Sequence, residues 1–333
     1  MNNYSMSGRR FLITGGLSLI GSRIAILLLE RGVREIVLVD NMSLESAHSS
    51  NPLLSDPRVR FVRGDILDTP TLTSASEGID GIFALAAFLT LPLGENPRLG
   101  LQVNVQGMIS TLDAAVAANV PRVTMASSIS VYGDNLDGSI TEDFAFGSTS
   151  LSPPFALYAL SKLVGEQLGR LYQQRHGIHF SAARFSTVYG IGQHDRGVNA
   201  LQILQTRESV LQGKNPVILG SGADAHDFIY VDDAASGIIS ALENGKSGSS
   251  YTIATGTTTT TTELVKAVLR VMDSGLEPVY VADERAARPA LHPALNLDVS
   301  RAASELQWRA SVDLEDGLAR TVRWFSERET AAR

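Results

Sequence analysis

Apolar positions along this chain fall into two rhythms. Short apolar-rich runs at 9–13, 35–39, 59–63, 81–86, 122–126 and 178–185 have the length of buried β-strands. Between them lie longer segments with helical spacing. Residues 22–31 form one such helix, stopped by Gly32, and 154–175 form another. A long helix is expected over 96–119, where Leu99, Val103, Met108, Leu112 and Val116 make an apolar face. Strands that alternate with helices imply a mostly parallel sheet covered on both faces. Ligands of such sheets sit beyond the carboxyl ends of the strands. Gly15, Asp40, Asp65, Ala86, Ser128 and the segment after Arg184 all fall at those ends.

The texture changes after Arg184. A glycine-rich polar stretch, 186–197, precedes a helix at 198–212, short strands at 217–219 and 228–230, and a helix at 231–242. Residues 250–254 read as a strand able to return to the main sheet. The threonine run 257–262 carries no chemistry; Thr260 caps a helix, with Glu263 at its third position completing a capping box. Helices at 298–308 and 314–329 close the chain. The fold class is therefore α/β: a doubly wound Rossmann parallel sheet with a smaller C-terminal α/β substrate lobe. The expected division is a sheet domain over 1–185 with a returning segment at about 228–254, and a smaller lobe from 186–227 and 255–333.

Composition removes several alternatives. With 333 residues and 44% hydrophobic content the chain can bury a large core. Its net charge of −7 offers no global attraction to nucleic acid or to an anionic membrane. The absence of cysteine excludes disulfides, thiolate nucleophiles and cysteine-based zinc sites. His176 and His179 are the closest histidines, and Gly177 between them argues for a helix end, so no metal site is expected. The apolar run 82–93 contains Thr90 and Pro92 and is too short to span a bilayer. The residues after Arg9-Arg10 are interrupted by Thr14-Gly15-Gly16, too early for a signal-peptide core. A cytoplasmic protein is expected.

Two places carry candidate chemistry. The segment Thr14-Gly15-Gly16-Leu17-Ser18-Leu19-Ile20-Gly21 joins a strand to a helix, a turn that brings a pyrophosphate onto backbone N–H groups at a helix N-terminus. Asp40 closes the next strand, 19 residues beyond Gly21. A carboxylate there accepts from ribose hydroxyls and repels a 2′-phosphate, favouring NAD over NADP. The second place is Ser128, followed by Tyr158 and Lys162. Four residues is about one helical turn, so Tyr158 and Lys162 share a helix face. A phenol titrates near ~10, and a neighbouring ammonium is expected to bring that down so that Tyr158 works as a base. Ser128 would hold a substrate oxygen beside it.

These motifs resemble the extended short-chain dehydrogenases/reductases, specifically the NAD-dependent nucleotide-sugar epimerase/dehydratase family. The resemblance runs nearly end to end. It rests on Thr14-Gly15-Gly16 through Gly21, Asp40-Asn41, Gly64-Asp65-Ile66, Leu85-Ala86-Ala87, Asn104-Val105-Gln106-Gly107, Ser127-Ser128 through Gly133, Tyr158 to Lys162, Arg184 to Gly190, Asp227 to Asp233, and Leu306-Gln307-Trp308. It implies a catalytic set of Ser128, Tyr158 and Lys162. The cofactor positions it implies are Gly15, Leu19, Ile20, Gly21, Asp40, Asn41, Asp65, Ile66, Leu85, Ala86, Ala87, Asn104, Phe185 and Val188, with Tyr158 and Lys162. Asp65 and Ile66 would flank the adenine, Leu85, Ala86 and Ala87 would line the dinucleotide path, and Lys162 would also meet the nicotinamide ribose. Substrate positions would be Ser128, Ser130, Thr187, His226 and Arg288.

The chain departs from the family at four positions. Ser18 replaces the middle glycine of the turn, Ala84 a histidine, Thr187 an asparagine and His226 an arginine. The last two positions grip the nucleotide diphosphate in relatives, while Arg288 is retained. The dehydratase branch carries an Asp-Glu pair where Ile129 and Ser130 follow Ser128 here, which argues against dehydration. The expected function is epimerisation of a nucleotide-activated sugar by transient oxidation at a hydroxyl. The alternative is a dehydrogenase/reductase of a sugar, sugar acid or other small hydroxy or carbonyl substrate. A non-catalytic NAD-sensing scaffold is opposed by the intact Tyr158/Lys162 pair. The helices at 97–118 and 155–175 are expected to pair across a two-fold axis in a homodimer.

Overall fold

The computed structural model describes residues 4–43, 52–134, 136, 138–148, 151–193, 200–282 and 295–331. Its centre is a seven-stranded sheet in the order β10-β6-β5-β4-β1-β2-β3, parallel throughout. In chain order these strands are β1 (Arg10–Thr14), β2 (Glu35–Asp40), β3 (Val59–Arg63), β4 (Gly81–Ala84), β5 (Arg122–Ser128), β6 (His179–Phe185) and β10 (Ser249–Ile253). Helices α1 (Leu19–Glu30) and α8 (Val231–Asn244) pack together on one face. On the other face lie α2 (Thr69–Ala75), α5 (Gly107–Ala117) and α6 (Pro153–His176).

Burial explains the sequence texture. The interior of β2 is wholly buried at Ile36, Val37, Leu38 and Val39, as a strand covered on both faces must be. The edge strand β3 instead carries exposed Arg60 and Arg63, which discourages pairing with another chain. The chain order reverses direction between β1 and β4, the crevice where such sheets take ligands.

Two smaller sheets sit beyond the carboxyl end of β6. One joins β7 (Thr187–Tyr189), β9 (Ala225–Tyr230) and β11 (Thr258–Thr260); the other pairs β8 (Val217–Leu219) with β12 (Val279–Val281). Around them lie α7 (Leu201–Leu211), α9 (Thr261–Val271), α10 (Ser300–Glu305) and α11 (Leu314–Ala331). The Thr260–Glu263 capping box forms as its sequence requires. Strands β7, β11 and β12, of three residues each, are too short to leave a period in the sequence.

The expected single helix over 96–119 is broken. A short helix α3 (Thr90–Glu95) precedes α4 (Pro97–Leu101), and a π-turn over Gln102–Gln106 separates α4 from α5. The wider turn rotates Asn104 inward, where its amide takes the backbone of Phe88 both ways and donates to Ser161. Strand β4 stops at Ala84 rather than 86, and β5 runs on to Ser128. The C-terminal helix expected over 298–308 covers only Ser300–Glu305. Arg288 and the expected helix start at Val198 lie outside the described residues.

Candidate active site

The glycine turn is built by necessity. Gly15 has φ +66°, and a Cβ on it would sit 3.1 Å from the backbone nitrogen of Ala86. Gly21 packs directly on the Gly15–Gly16 backbone and leaves no room for a side chain. Ser18 is the N-cap of α1: its hydroxyl accepts from Gly21 N at 3.2 Å. The N–H groups of Leu19 and Ile20 stand in the first helical turn, where no preceding turn can accept from them. Buried Thr14 stitches the crevice, its hydroxyl accepting from Leu85 N at 3.1 Å and Ala86 N at 3.3 Å.

Asp40 is brought to the same turn. One carboxylate oxygen accepts from Leu17 N at 3.1 Å and the other from Met42 N at 2.8 Å. Asn41 donates to Asp65 at 3.3 Å, and Asp65 also accepts from Leu67 N at 2.9 Å. Leu85, Ala86 and Ala87 follow β4 and remain partly exposed. Ile66 and Phe185 differ: each is 6% exposed, Ile66 packed under Gly107 and Phe185 in the main core. Val188 packs between two core clusters. Asn104 spends its amide on Phe88 and Ser161, so its geometry holds the loop after β4. A small cavity lined by Thr14, Ala86, Asn104, Ala126 and Lys162 shows how closely these elements converge.

The end of β5 meets α6 at Ser128, Tyr158 and Lys162. The Ser128 hydroxyl stands beside the Tyr158 phenol, where it favours the ionised form. Lys162 Nζ donates to the Ala126 carbonyl at 2.9 Å and lies 5.6 Å from the centre of the Tyr158 ring. Ser128 also caps the turn that follows it, accepting from Ser130 N at 3.1 Å. Ser130's own hydroxyl is buried and has no partner among the described residues.

The electrostatics correct one expectation. Lys162 was expected to bring the Tyr158 phenol down towards neutrality. Burial instead pushes it up to about 12, opposed by the Ser128 hydroxyl. Burial likewise pushes the Lys162 ammonium down to about 8. Desolvation penalises the charged form of both partners, and with the ammonium turned to Ala126 the protein alone does not create a phenolate at pH 7.

Thr187 and His226 lie apart from this cluster, on β7 and β9, and both are partly exposed. The His226 ring meets Phe228 at 5.7 Å between centres. Between His226 and Phe228, buried Asp227 accepts from Ser186 Oγ, from Thr255 N and Oγ1, and from the N–H groups of Gly256 and Thr257.

Sequence reasoning overlooked a buried charge beside the cluster. Glu166, fully buried, accepts from Ser127, Arg170, Arg184 and Ser250. The signal was present: Glu166 follows Lys162 at the spacing by which Lys162 follows Tyr158. Among the described residues there is no group of acidic and histidine side chains able to hold a metal, and no helix long and apolar enough to cross a membrane.

Comparison with known proteins accords with this geometry. A family model described as the NAD dependent epimerase/dehydratase family matches residues 11–254. A putative UDP-glucose 4-epimerase of Methanocaldococcus jannaschii is 29% identical over 317 residues, covering 94% of this chain and 97% of the relative. A double mutant of the dTDP-glucose 4,6-dehydratase of Streptomyces venezuelae, solved with NAD bound, superposes with a TM-score of 0.84 at 30% identity, covering 97% of this chain and 98% of its own. The UDP-glucose 4-epimerase of Thermotoga maritima, solved with UDP-glucose, also gives 0.84, at 26% identity over 96% of this chain and 99% of its own. With the crevice, the glycine turn and a match over most of its length, the chain belongs to the NAD-dependent epimerase/dehydratase family, enzymes of the extended short-chain dehydrogenase/reductase type.

Proposed function

We propose that this chain epimerises a nucleotide-activated sugar by transient oxidation of a ring hydroxyl, C4 being the first carbon to test. The observation that carries the reading is the contact of Ser128, Tyr158 and Lys162 at the carboxyl edge, beside the Gly15 turn and Asp40. The residues fit NAD. A Cβ at Gly15 or Gly21 would fill the cradle, the N-terminus of α1 offers Leu19 and Ile20, and Asp40 is held at the turn by two backbone N–H groups. Asn41 and Asp65 would stand at the adenosine end, and Ala86 and Ala87 along the dinucleotide path. Ile66 and Phe185 contribute through the packing beneath.

When bound, the oxidised cofactor supplies a hydride acceptor and a positive charge at its nicotinamide ring. The protein handles the proton. Ser128 Oγ would hold the sugar hydroxyl oxygen, and Tyr158 Oη, as the phenolate that Lys162 and the charge of the bound cofactor would favour, would take its proton and later return it. Lys162 Nζ is the fixed cation that opposes the burial of a phenolate. Thr187, His226, Ser130 and Arg288 are the substrate-facing positions. With a hydroxyl and an imidazole at two of them, a dTDP-sugar or another activated sugar stands beside a UDP-sugar as substrate. Ile129 and Ser130 supply no carboxylates after Ser128, which favours epimerisation over dehydration. The division into an NAD-binding domain (1–185 and about 228–254) and a substrate lobe (186–227 and 255–333) belongs to this reading. So do a cytoplasmic location and a homodimer; exposed Leu99, Leu160 and Val164 on α4 and α6 support the dimer.

Tyr158→Phe tests the reading. Turnover of UDP- and dTDP-hexoses should fall by at least ~10³-fold with NAD affinity retained, since only the proton-carrying oxygen is removed. Normal turnover in that variant would sink the mechanism.

A further inference from the structure

Three consecutive residues of β5 each engage one residue of a single face of α6. The Ala126 carbonyl takes Lys162 Nζ at 2.9 Å, the Ser127 hydroxyl donates to Glu166 Oε1 at 2.7 Å, and the Ser128 hydroxyl faces the Tyr158 phenol. Tyr158, Lys162 and Glu166 recur every four residues, so they line one side of the helix. Two of these contacts involve the proposed catalytic groups. The third joins side chains with no chemistry assigned to them.

Glu166 is anchored far more firmly than one serine requires. Arg184 of β6 grips it with two nitrogens, Nε to Oε1 at 2.9 Å and Nη2 to Oε2 at 2.8 Å. Ser250 of β10 donates to Oε2 at 2.8 Å, and Arg170, one turn further along α6, reaches the same oxygen at 3.2 Å. Burial alone would push the Glu166 carboxyl up, but Arg184 and the Ser127 and Ser250 hydroxyls hold it below the usual carboxylate range. Arg184 itself is fixed by donating to the Glu142 carbonyl at 2.8 Å and by lying over the Tyr132 ring at 5.1 Å. One carboxylate thus ties α6 to three adjacent strands, β5, β6 and β10.

We propose that Glu166 is a positioning residue that acts through Ser127, locking the end of β5 against α6 so that the Ser128 hydroxyl and the Tyr158 phenol keep their mutual placement. The inference rests on the reading of Tyr158 as the proton carrier. Its physical basis is geometric. Two catalytic groups on different elements stay aligned only as well as those elements are registered, and misplacement by about 1 Å costs up to ~10²-fold in rate. Ser127 is adjacent to Ser128, so its bond fixes the register at the point of use. Arg184, with two nitrogens on it, keeps the carboxylate from swinging away.

The network supplies its own control. Ser127 and Ser250 are both 3% exposed, and each donates one hydroxyl to the same carboxylate. Only Ser127 neighbours a proposed catalytic residue; Ser250 sits on β10, which carries none. In the full-length protein loaded with NAD, Ser127→Ala should lower kcat about 10-fold or more, with KM and NAD affinity within about twofold. Ser250→Ala should leave kcat within about twofold while lowering the melting temperature by a similar amount. Equal kcat in both variants, or a loss that follows melting temperature in both, would overturn the proposal.

An ultraviolet difference titration of the Tyr158 phenol, referenced to Tyr158→Phe, needs no substrate. Ser127→Ala should move it upward as Ser128 drifts from the phenol, and Ser250→Ala should not; an unmoved titration in Ser127→Ala counts against positioning. A wild-type protein that turns over no activated sugar would refute the epimerase reading, and this titration would still decide the placement of Ser128 and Tyr158.

Discussion

The Ser128–Tyr158–Lys162 cluster and the Thr187–His226 strands face the same carboxyl edge, yet they are held in different ways. In the first, side chains are tied to the opposing element. Ser128 faces Tyr158, Lys162 bonds the Ala126 carbonyl, and Glu166 bonds Ser127. In the second, the anchoring is done by Asp227, which gathers Ser186 and the turn Thr255–Gly256–Thr257 while its neighbours Thr187 and His226 stay partly exposed. A side chain bonded to its partner cannot be exchanged without losing geometry. Where the bonds of Asp227 hold the frame, an exchange at its neighbours leaves those bonds in place. With Thr187 and His226 standing where the family resemblance implies asparagine and arginine, the chain still superposes on solved relatives with a TM-score of 0.84.

The comparison can be broken at either side. The largest effect is expected from Lys162→Met, which should lower kcat by ~10²–10⁴-fold. It should also stabilise the protein. Lys162 falls to about 8 in the fold, below the ~10.4 of an unfolded lysine, so the unfolded chain holds the extra proton between those values. The burial penalty is full below pH 8, and stability rises with pH from about 8 to ~10.4. Removing the ammonium, less the lost bond to Ala126, should gain about 2 kcal/mol at pH 7, read by denaturant titration. A destabilised Lys162→Met would show that the charge is better solvated than its burial implies.

Next in size is Asp227→Ala. Leaving the donors of Ser186 and the 255–257 turn unmatched should cost about 2–4 kcal/mol and raise KM more than it lowers kcat. A pure kcat loss would place Asp227 with the chemistry and erase the contrast. The smallest effect is expected from His226→Gln, with stability within about 0.5 kcal/mol and KM for an activated sugar changed by less than ~10-fold. Loss of folding in that variant would mean that His226 is part of the frame.

Much of this was legible before the structure. The parallel sheet follows from buried runs such as 35–39, and the crevice from Gly15 and Asp40, because these depend on local patterns. Tyr158 and Lys162 could be paired because a helix fixes their spacing. The π-turn at Asn104 could not, since a single added residue in a helical turn leaves the apolar period nearly intact. Glu166 was overlooked for another reason. A glutamate at helical spacing ordinarily reads as solvated, and its burial depends on Arg184 and Ser250, which approach only when β6 and β10 flank each other. The protonation of the Tyr158/Lys162 pair also escaped the sequence, because spacing shows the attraction between two groups and not their shared desolvation.

The central claim is transient oxidation with return of the same hydrogen. The most direct measurement follows UDP-glucose and dTDP-glucose carrying deuterium at C4 through turnover by the wild-type protein, by mass spectrometry with absorbance of the reduced cofactor recorded in parallel. The account predicts the C4 epimer with deuterium retained at C4 and no accumulation of NADH. Stoichiometric NADH, or a product that has exchanged its C4 hydrogen with solvent, would contradict it.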